Sequence, residues 1–172
     1  MDRGRVVVGV DTTLAGLHAL RLAVAEARCR GLALHAVRTW GPVPAADLAG
    51  PPLRPTAAGL AAAIVDQAFA ETMGSEPPDL PVRTVVLPDP PGPVLVGYAC
   101  RDTDLLVLGA GRRRFPWSRG GPVVRYCLRH AVCPVLVVPP PPLTRVGSPK
   151  SLIKELHREL DQLGELGEPA DQ

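Results

Sequence analysis

Asp104-Leu105-Leu106-Val107-Leu108-Gly109-Ala110-Gly111 is an apolar run that ends in glycine. Gly120-Gly121 then precedes a short amphipathic segment, residues 123–130. Ala131-Val132-Cys133-Pro134-Val135-Leu136-Val137-Val138 follows as a second apolar run. Strand, Gly-rich loop, helix and strand, in that order, form the framework with which a helix N-terminus holds a phosphate. The strands are read at residues 104–108 and 134–138.

The chain upstream repeats the alternation. Residues 5–10 hold Val6, Val7, Val8 and Val10, continuous and β-branched, as in a parallel strand covered on both faces. Asp11-Thr12-Thr13 offers caps for a helix over about residues 14–30, where Leu14, Leu17, Leu20, Val24 and Ala27 recur at helical spacing. Gly31 is its stop. Residues 32–37 read as the second strand, 40–55 as a Pro/Gly/Ala-rich loop, and 57–73 as an Ala-rich helix contacting the core through Leu60, Ile64, Phe69 and Met73. Residues 82–87 are the third strand, 88–93 a stiff proline-rich connection, and 94–100 a short helix with Pro93 near its start. This is the α/β class: a doubly wound five-stranded parallel sheet flanked by helices. Ligands in such sheets sit beyond the carboxyl ends of the strands, which puts Asp11, Val37 and the Gly109 loop on one rim. The domain is expected over residues 4–139. Residues 140–172 follow as a proline-rich linker and an amphipathic C-terminal helix with the stripe Ile153, Leu156, Leu160 and Leu163.

Composition narrows the function classes. A hydrophobic content of 46% excludes a largely disordered chain. A net charge of +2 gives no bulk field for nucleic acid. Cys29, Cys100, Cys127 and Cys133 form no C-x-x-C pair and no zinc spacing, so no metal site is expected and the four read as small buried apolar residues. The apolar run after Arg5 is too short for a signal-peptide core, and no run is long enough to cross a bilayer. A cytoplasmic chain without a membrane partner is the expectation.

Val6-Val7-Val8-Gly9-Val10-Asp11, the 104–109 block, and Gly121 through Leu128-Arg129-His130-Ala131 and Cys133-Pro134-Val135 together resemble the universal stress protein family. The likeness spans about residues 4–139 and implies the nucleotide-binding α-hydrolase-like fold. ATP-binding members of that family carry glycine, two residues, glycine, nine residues, then glycine with serine or threonine. Here the first glycine aligns at Gly109, the second falls on Arg112 with Gly111 one residue early, and the loop is one residue short before Gly121. Pro122 stands at the hydroxyl position, where it offers neither N–H nor hydroxyl. Losing two hydrogen bonds to a charged ligand costs about 3–6 kcal/mol.

The resemblance implies a nucleotide site of Asp11, Val37, Gly109, Gly111, Arg112, Gly121, Pro122 and Val123, with Asp11 on the adenosine part and Val37 offering backbone groups to the base. ATP, with Mg²⁺, is the ligand to weigh, at weak or absent affinity. Asp11 also reads as the N-cap of the first helix. Arg112, Arg113 and Arg114 either replace the missing donors or are solvated loop charges. Arg119 and Arg125 add positive potential, and Trp117 packs on Phe115 and Pro116 or covers a ligand or a partner surface. His130 reads as a helix C-terminal contact, and His18 and His35 as isolated. No catalytic residue is expected. The last strand is an edge, and the resemblance implies a homodimer through Val135, Leu136, Val137 and Val138; the alternative is that the C-terminal helix covers this edge. A further protein partner stays open. The expected function is a dimeric regulatory or protective module coupled to stress. The alternatives are an intact ATP switch gripped by arginines and a nucleotide-using enzyme of the same fold group. Ser-Gly-Gly-x-Asp-Ser and His-x-Gly-His, which mark such enzymes, do not occur.

Overall fold

Continuous apolar runs pair as parallel strands because only a sheet covered on both faces hides them. The computed structural model describes residues 4–41, 57–111 and 120–141. The described elements run β1 (Val6–Gly9), α1 (Leu14–Arg30), β2 (Leu34–Trp40), α2 (Ala57–Met73), β3 (Val82–Pro88), α3 (Pro91–Tyr98), β4 (Leu105–Gly109), α4 (Pro122–His130) and β5 (Val135–Val138). The strands form one parallel sheet in the order β3-β2-β1-β4-β5, so the chain reverses direction across the sheet between β1 and β4. β3 and β5 are the outer strands.

Side chains alternate across the sheet and build two cores. On one face Val6, Val8, Val10, Leu34 and Ala36 pack under α1 and α2, with Leu20, Val24, Val65 and Phe69 from the helices. On the other, Val7, Val37, Leu106 and Leu108 meet Leu95 of α3 and Val124 and Cys127 of α4. The chain divides into two units, Met1–Pro140 and Pro141–Gln172. The expected C-terminal helix lies outside the described residues, as do Arg112 to Arg114, Phe115 to Trp117, Arg119 and most of the expected 40–55 loop.

Several local expectations change. β2 does not stop at Val37. It continues through Trp40 because its ladder with β3 runs on to Trp40 opposite Pro88. α2 buries Ala61, Val65, Ala68, Phe69 and Thr72, whereas Leu60 is 53% exposed. An Ala-rich helix has apolar residues on every side, and here the small ones take the close approach. Leu14, in the first turn of α1, is likewise exposed. α3 begins at Pro91 and ends at Tyr98, not at residues 94–100. Prolines at its first and third positions lack only N–H groups that a first turn leaves unpaired anyway. Cys29 and Cys100 are exposed, and only Cys127 and Cys133 are buried. Burial pushes the Cys127 thiol up to about 11 and raises Cys133 too, so both stay protonated and unreactive near neutrality.

The amino-terminal end of the sheet is tied by a buried carboxylate. Asp104 is 1% exposed. Its Oδ1 accepts from the Arg5 N–H at 3.2 Å, and its Oδ2 accepts from Arg5 Nε at 3.4 Å and from the Arg101 N–H at 3.3 Å. Arg5 Nη2 also donates to the Tyr98 carbonyl at 2.7 Å, and the guanidinium lies 4.7 Å from the Tyr98 ring centre. His35 is not isolated: its Nδ1 lies 2.7 Å from the Tyr98 hydroxyl. Burial, then Arg5 and Arg83, holds its imidazole below the usual histidine range. His18 is likewise partnered, its Nδ1 being 2.9 Å from the Pro139 carbonyl. One cluster thus joins β1, β2, β4 and the end of α3. Replacing Asp104 with Ala strands Arg5 and two backbone donors. It is expected to cost about 3–5 kcal/mol of stability, read as a lower urea midpoint with an unchanged slope.

Candidate functional site

At the opposite end of the sheet, the strand ends and the starts of α3 and α4 surround a cleft of about 430 Å³. The reversal between β1 and β4 opens it, as expected for a doubly wound sheet. Asp11, Val37, Gly109, Gly111, Gly121, Pro122 and Val123 all border it. Arg112, the remaining expected site residue, lies outside the described residues. The lining also includes Arg38, Thr39, Pro91 and Leu95, which sequence reading did not single out. Arg38 and Thr39 belong to the unforeseen extension of β2, and Pro91 to the unforeseen first turn of α3.

Asp11 does not cap α1. The cap is Thr13, whose hydroxyl accepts from the Gly16 N–H at 3.0 Å. Asp11 instead folds onto Thr13: Oδ1 accepts from the Thr13 N–H at 2.7 Å and from the Thr13 hydroxyl. A short acidic side chain closing on the backbone two residues ahead is the usual way an Asp shapes a turn. Gly16 leaves room for that carboxylate, since a methyl there would collide with Asp11 Oδ1. Gly109 packs on the other side of the same turn. A methyl at 109 would lie 2.6 Å from the Gly16 nitrogen and 2.8 Å from the Ala15 carbonyl carbon. Val37 is buried, and its carbonyl accepts from the Val10 N–H at 2.9 Å.

The α4 end of the cleft is bordered by the two ends of the loop between β4 and α4. Gly111 takes φ +68°, a left-handed turn that favours glycine, and a methyl there would lie 3.5 Å from the Gly121 nitrogen. The Gly121 N–H is already used, donating to the Ala110 carbonyl at 3.1 Å. Gly121 caps α4 without a side chain, and Pro122 at the first helical position has no N–H. Among the described residues, the amides of Val123 and Val124 remain as the unpaired donors of that first turn. Such donors attract anions. Arg125 and His130 are exposed on α4, and His130 Nδ1 lies 2.9 Å from the Tyr126 carbonyl in the last turn.

The lining is mainly apolar, with Asp11 its one carboxylate and Arg38 its one cation among the described residues. It includes no histidine or cysteine there. No group of three or more His, Cys, Asp or Glu side chains among the described residues is placed to hold a metal ion. No helix among them is long and apolar enough to cross a membrane.

Comparison with known proteins gives a consistent frame. The model of the universal stress protein family matches residues 3–139. No curated protein matches the chain. Among solved structures, the chain is similar to universal stress protein UspA from Lactobacillus plantarum, at 24% identity and a TM-score of 0.54, over 80% of this chain and 99% of that one. A universal stress protein from Archaeoglobus fulgidus in complex with dAMP aligns at 22% identity and a TM-score of 0.55, over 80% and 99%. A universal stress protein in complex with cAMP aligns at 24% identity and a TM-score of 0.53, over 80% and 98%. At these identities the structural likeness speaks to the fold.

The backbone contact at Gly109 sets the position of the cleft floor. Gly109→Ala is expected to push α1 from β4 and to cost about 1–3 kcal/mol, measured as a fall in thermal midpoint. A wild-type midpoint would mean the two elements separate without strain.

Proposed function

The chain belongs to the universal stress protein family, and from that premise we propose that it is a non-enzymatic, dimeric regulatory or protective module, cytoplasmic and coupled to stress, that grips ATP weakly or not at all. The observation that carries this reading is at the start of α4. The Gly121 amide is spent on Ala110, and Pro122 supplies neither an amide nor a hydroxyl. A triphosphate needs several converging donors, and the described part of the cradle keeps two.

The residues present suit a nucleoside better than a triphosphate. Asp11, Val37, Leu95 and Leu108 border the cleft, and a carboxylate beside an apolar wall suits a ribose and a base. The relatives bound to dAMP and cAMP carry one phosphate each, a load that two amides can meet. ATP, when it enters, brings Mg²⁺ on its own phosphates. Catalysis finds little support: the one lining carboxylate among the described residues is folded onto Thr13. Isothermal titration with ATP and Mg²⁺ is expected to give a dissociation constant near or above about 1 mM. Pro122→Ser restores one amide and one hydroxyl and should tighten binding at least about tenfold. Low-micromolar binding by the native chain would overturn the weak-ATP reading. Loss of that binding at high salt would point to arginines as the replacement grip.

Pairing of two copies is proposed along β5. Leu106 N–H donates to the Pro134 carbonyl and Ala110 N–H to the Val138 carbonyl. The even-numbered residues of β5 therefore face β4, and Val135 and Val137 turn their N–H and C=O groups to the open edge. Val137→Pro removes an outward donor without touching the inner ladder. Sedimentation velocity should show a dimer for the native chain and a monomer for the variant, at unchanged helix content. A native monomer at tens of micromolar, or a dimer undisturbed by the substitution, counts against β5 as the interface.

A further inference from the structure

Arg38 adjoins Val37 on β2 and borders the cleft as its one cation among the described residues. Its Nη1 donates to the Val10 carbonyl at 3.0 Å, and the Val10 N–H donates to the Val37 carbonyl at 2.9 Å. The guanidinium is thus tied to the peptide beside the position that takes the base. Its Nε is buried and has no hydrogen-bond partner. No carboxylate among the described residues pairs with it. A buried donor left unpaired is costly and calls for an explanation. With Nη1 on Val10, the unused part of the planar fork is its side-on edge, Nε with Nη2. That edge matches two acceptors held side by side.

We propose that Arg38 sets the ligand class of the cleft: its Nε–Nη2 edge reads a purine with a ring carbonyl beside a ring nitrogen, as guanine and hypoxanthine present at O6 and N7. Adenine carries an amino donor where O6 stands, so an N–H would face an N–H. The guanidinium turns about its Nη1 bond to Val10, and the acceptor pair takes up the orphaned Nε–H. The inference rests on the nucleotide-cleft reading for the place of the base. It is independent of how firmly the cradle holds a triphosphate.

The test compares GMP, AMP and ribose 5-phosphate at one ionic strength, by ligand-observed NMR titration. The first two share ribose and phosphate, and the third has no base. GMP is expected to bind about tenfold tighter than AMP, within what one bidentate pair discriminates. Arg38→Met keeps the apolar stem and should bring GMP to the level of AMP while leaving ribose 5-phosphate unchanged. Arg38→Lys keeps the charge without the fork and should lose most of the preference as well. AMP binding as well as GMP, or no GMP binding at millimolar concentration, overturns the proposal. So does an equal loss for all three ligands in Arg38→Met, which would make Arg38 a phosphate contact. A GMP preference alongside low-micromolar binding of ATP with Mg²⁺ upholds Arg38 and overturns the weak-ATP reading alone.

Discussion

The end of β4 and the first turn of α1 touch backbone to backbone, and the cleft is shaped around that contact. Gly109 lies against Ala15 and Gly16, and Gly16 in turn lies against the Asp11 carboxylate. Three chain segments are stacked here, with only the Asp11 carboxylate between the tip of β1 and α1 and no side chain between α1 and β4. Thr13 can cap the helix from this position because Asp11 holds its amide and hydroxyl. The same stacking fixes the N-terminus of α1, the tip of β1 and the end of β4 in one small volume. Interiors packed at this density transmit a misplaced methyl to everything that leans on it.

The two ends of the sheet are held by different physics. At the carboxyl ends, small residues and turns leave an open, mainly apolar cleft. At the amino ends, a buried charge pair with its hydrogen bonds closes the structure around Asp104. The pair adds little over a well-packed apolar alternative, because desolvation offsets the attraction. Its contribution is register. Arg5 and Asp104 are far apart in sequence yet adjacent across the β1–β4 seam, where Val6 stands opposite Leu105. A slip of one residue in that pairing would leave the carboxylate buried without its donors. The rim that borders the cleft is therefore aligned from the far side of the sheet.

Much of this was legible in the chain. Val6, Val7 and Val8, and the run from Leu105 to Leu108, announce covered strands by composition alone, and Gly31 marks the end of α1 in the left-handed conformation it favours. The rim residues follow from topology, since strand ends in such a sheet converge. What stayed hidden depended on partners distant in sequence. Nothing near Asp104 signals that its carboxylate is buried, because its principal partner is Arg5. The end of β2 was obscured by Arg38 and Thr39, whose polarity breaks the apolar run while the ladder to β3 continues. The prolines in the first turn of α3 read as a connection because missing donors matter inside a helix and not in its first turn. Arg38 follows the apolar run that ends at Val37, so only the longer strand brings it to the cleft.

The outer strands of the sheet are unequal. β5 presents valine and leucine along its length. β3 exposes Arg83 and Thr84, ends in Pro88, and gives way at once to Asp89 with φ +89°. Charge, proline and a sharp change of direction are the devices that discourage strand addition. A sheet guarded on one flank and apolar on the other limits edge-on growth of the pair proposed along β5. Any copy that docks on β5 exhausts the available flank, so edge-on growth closes at a symmetric pair and does not run on into a filament.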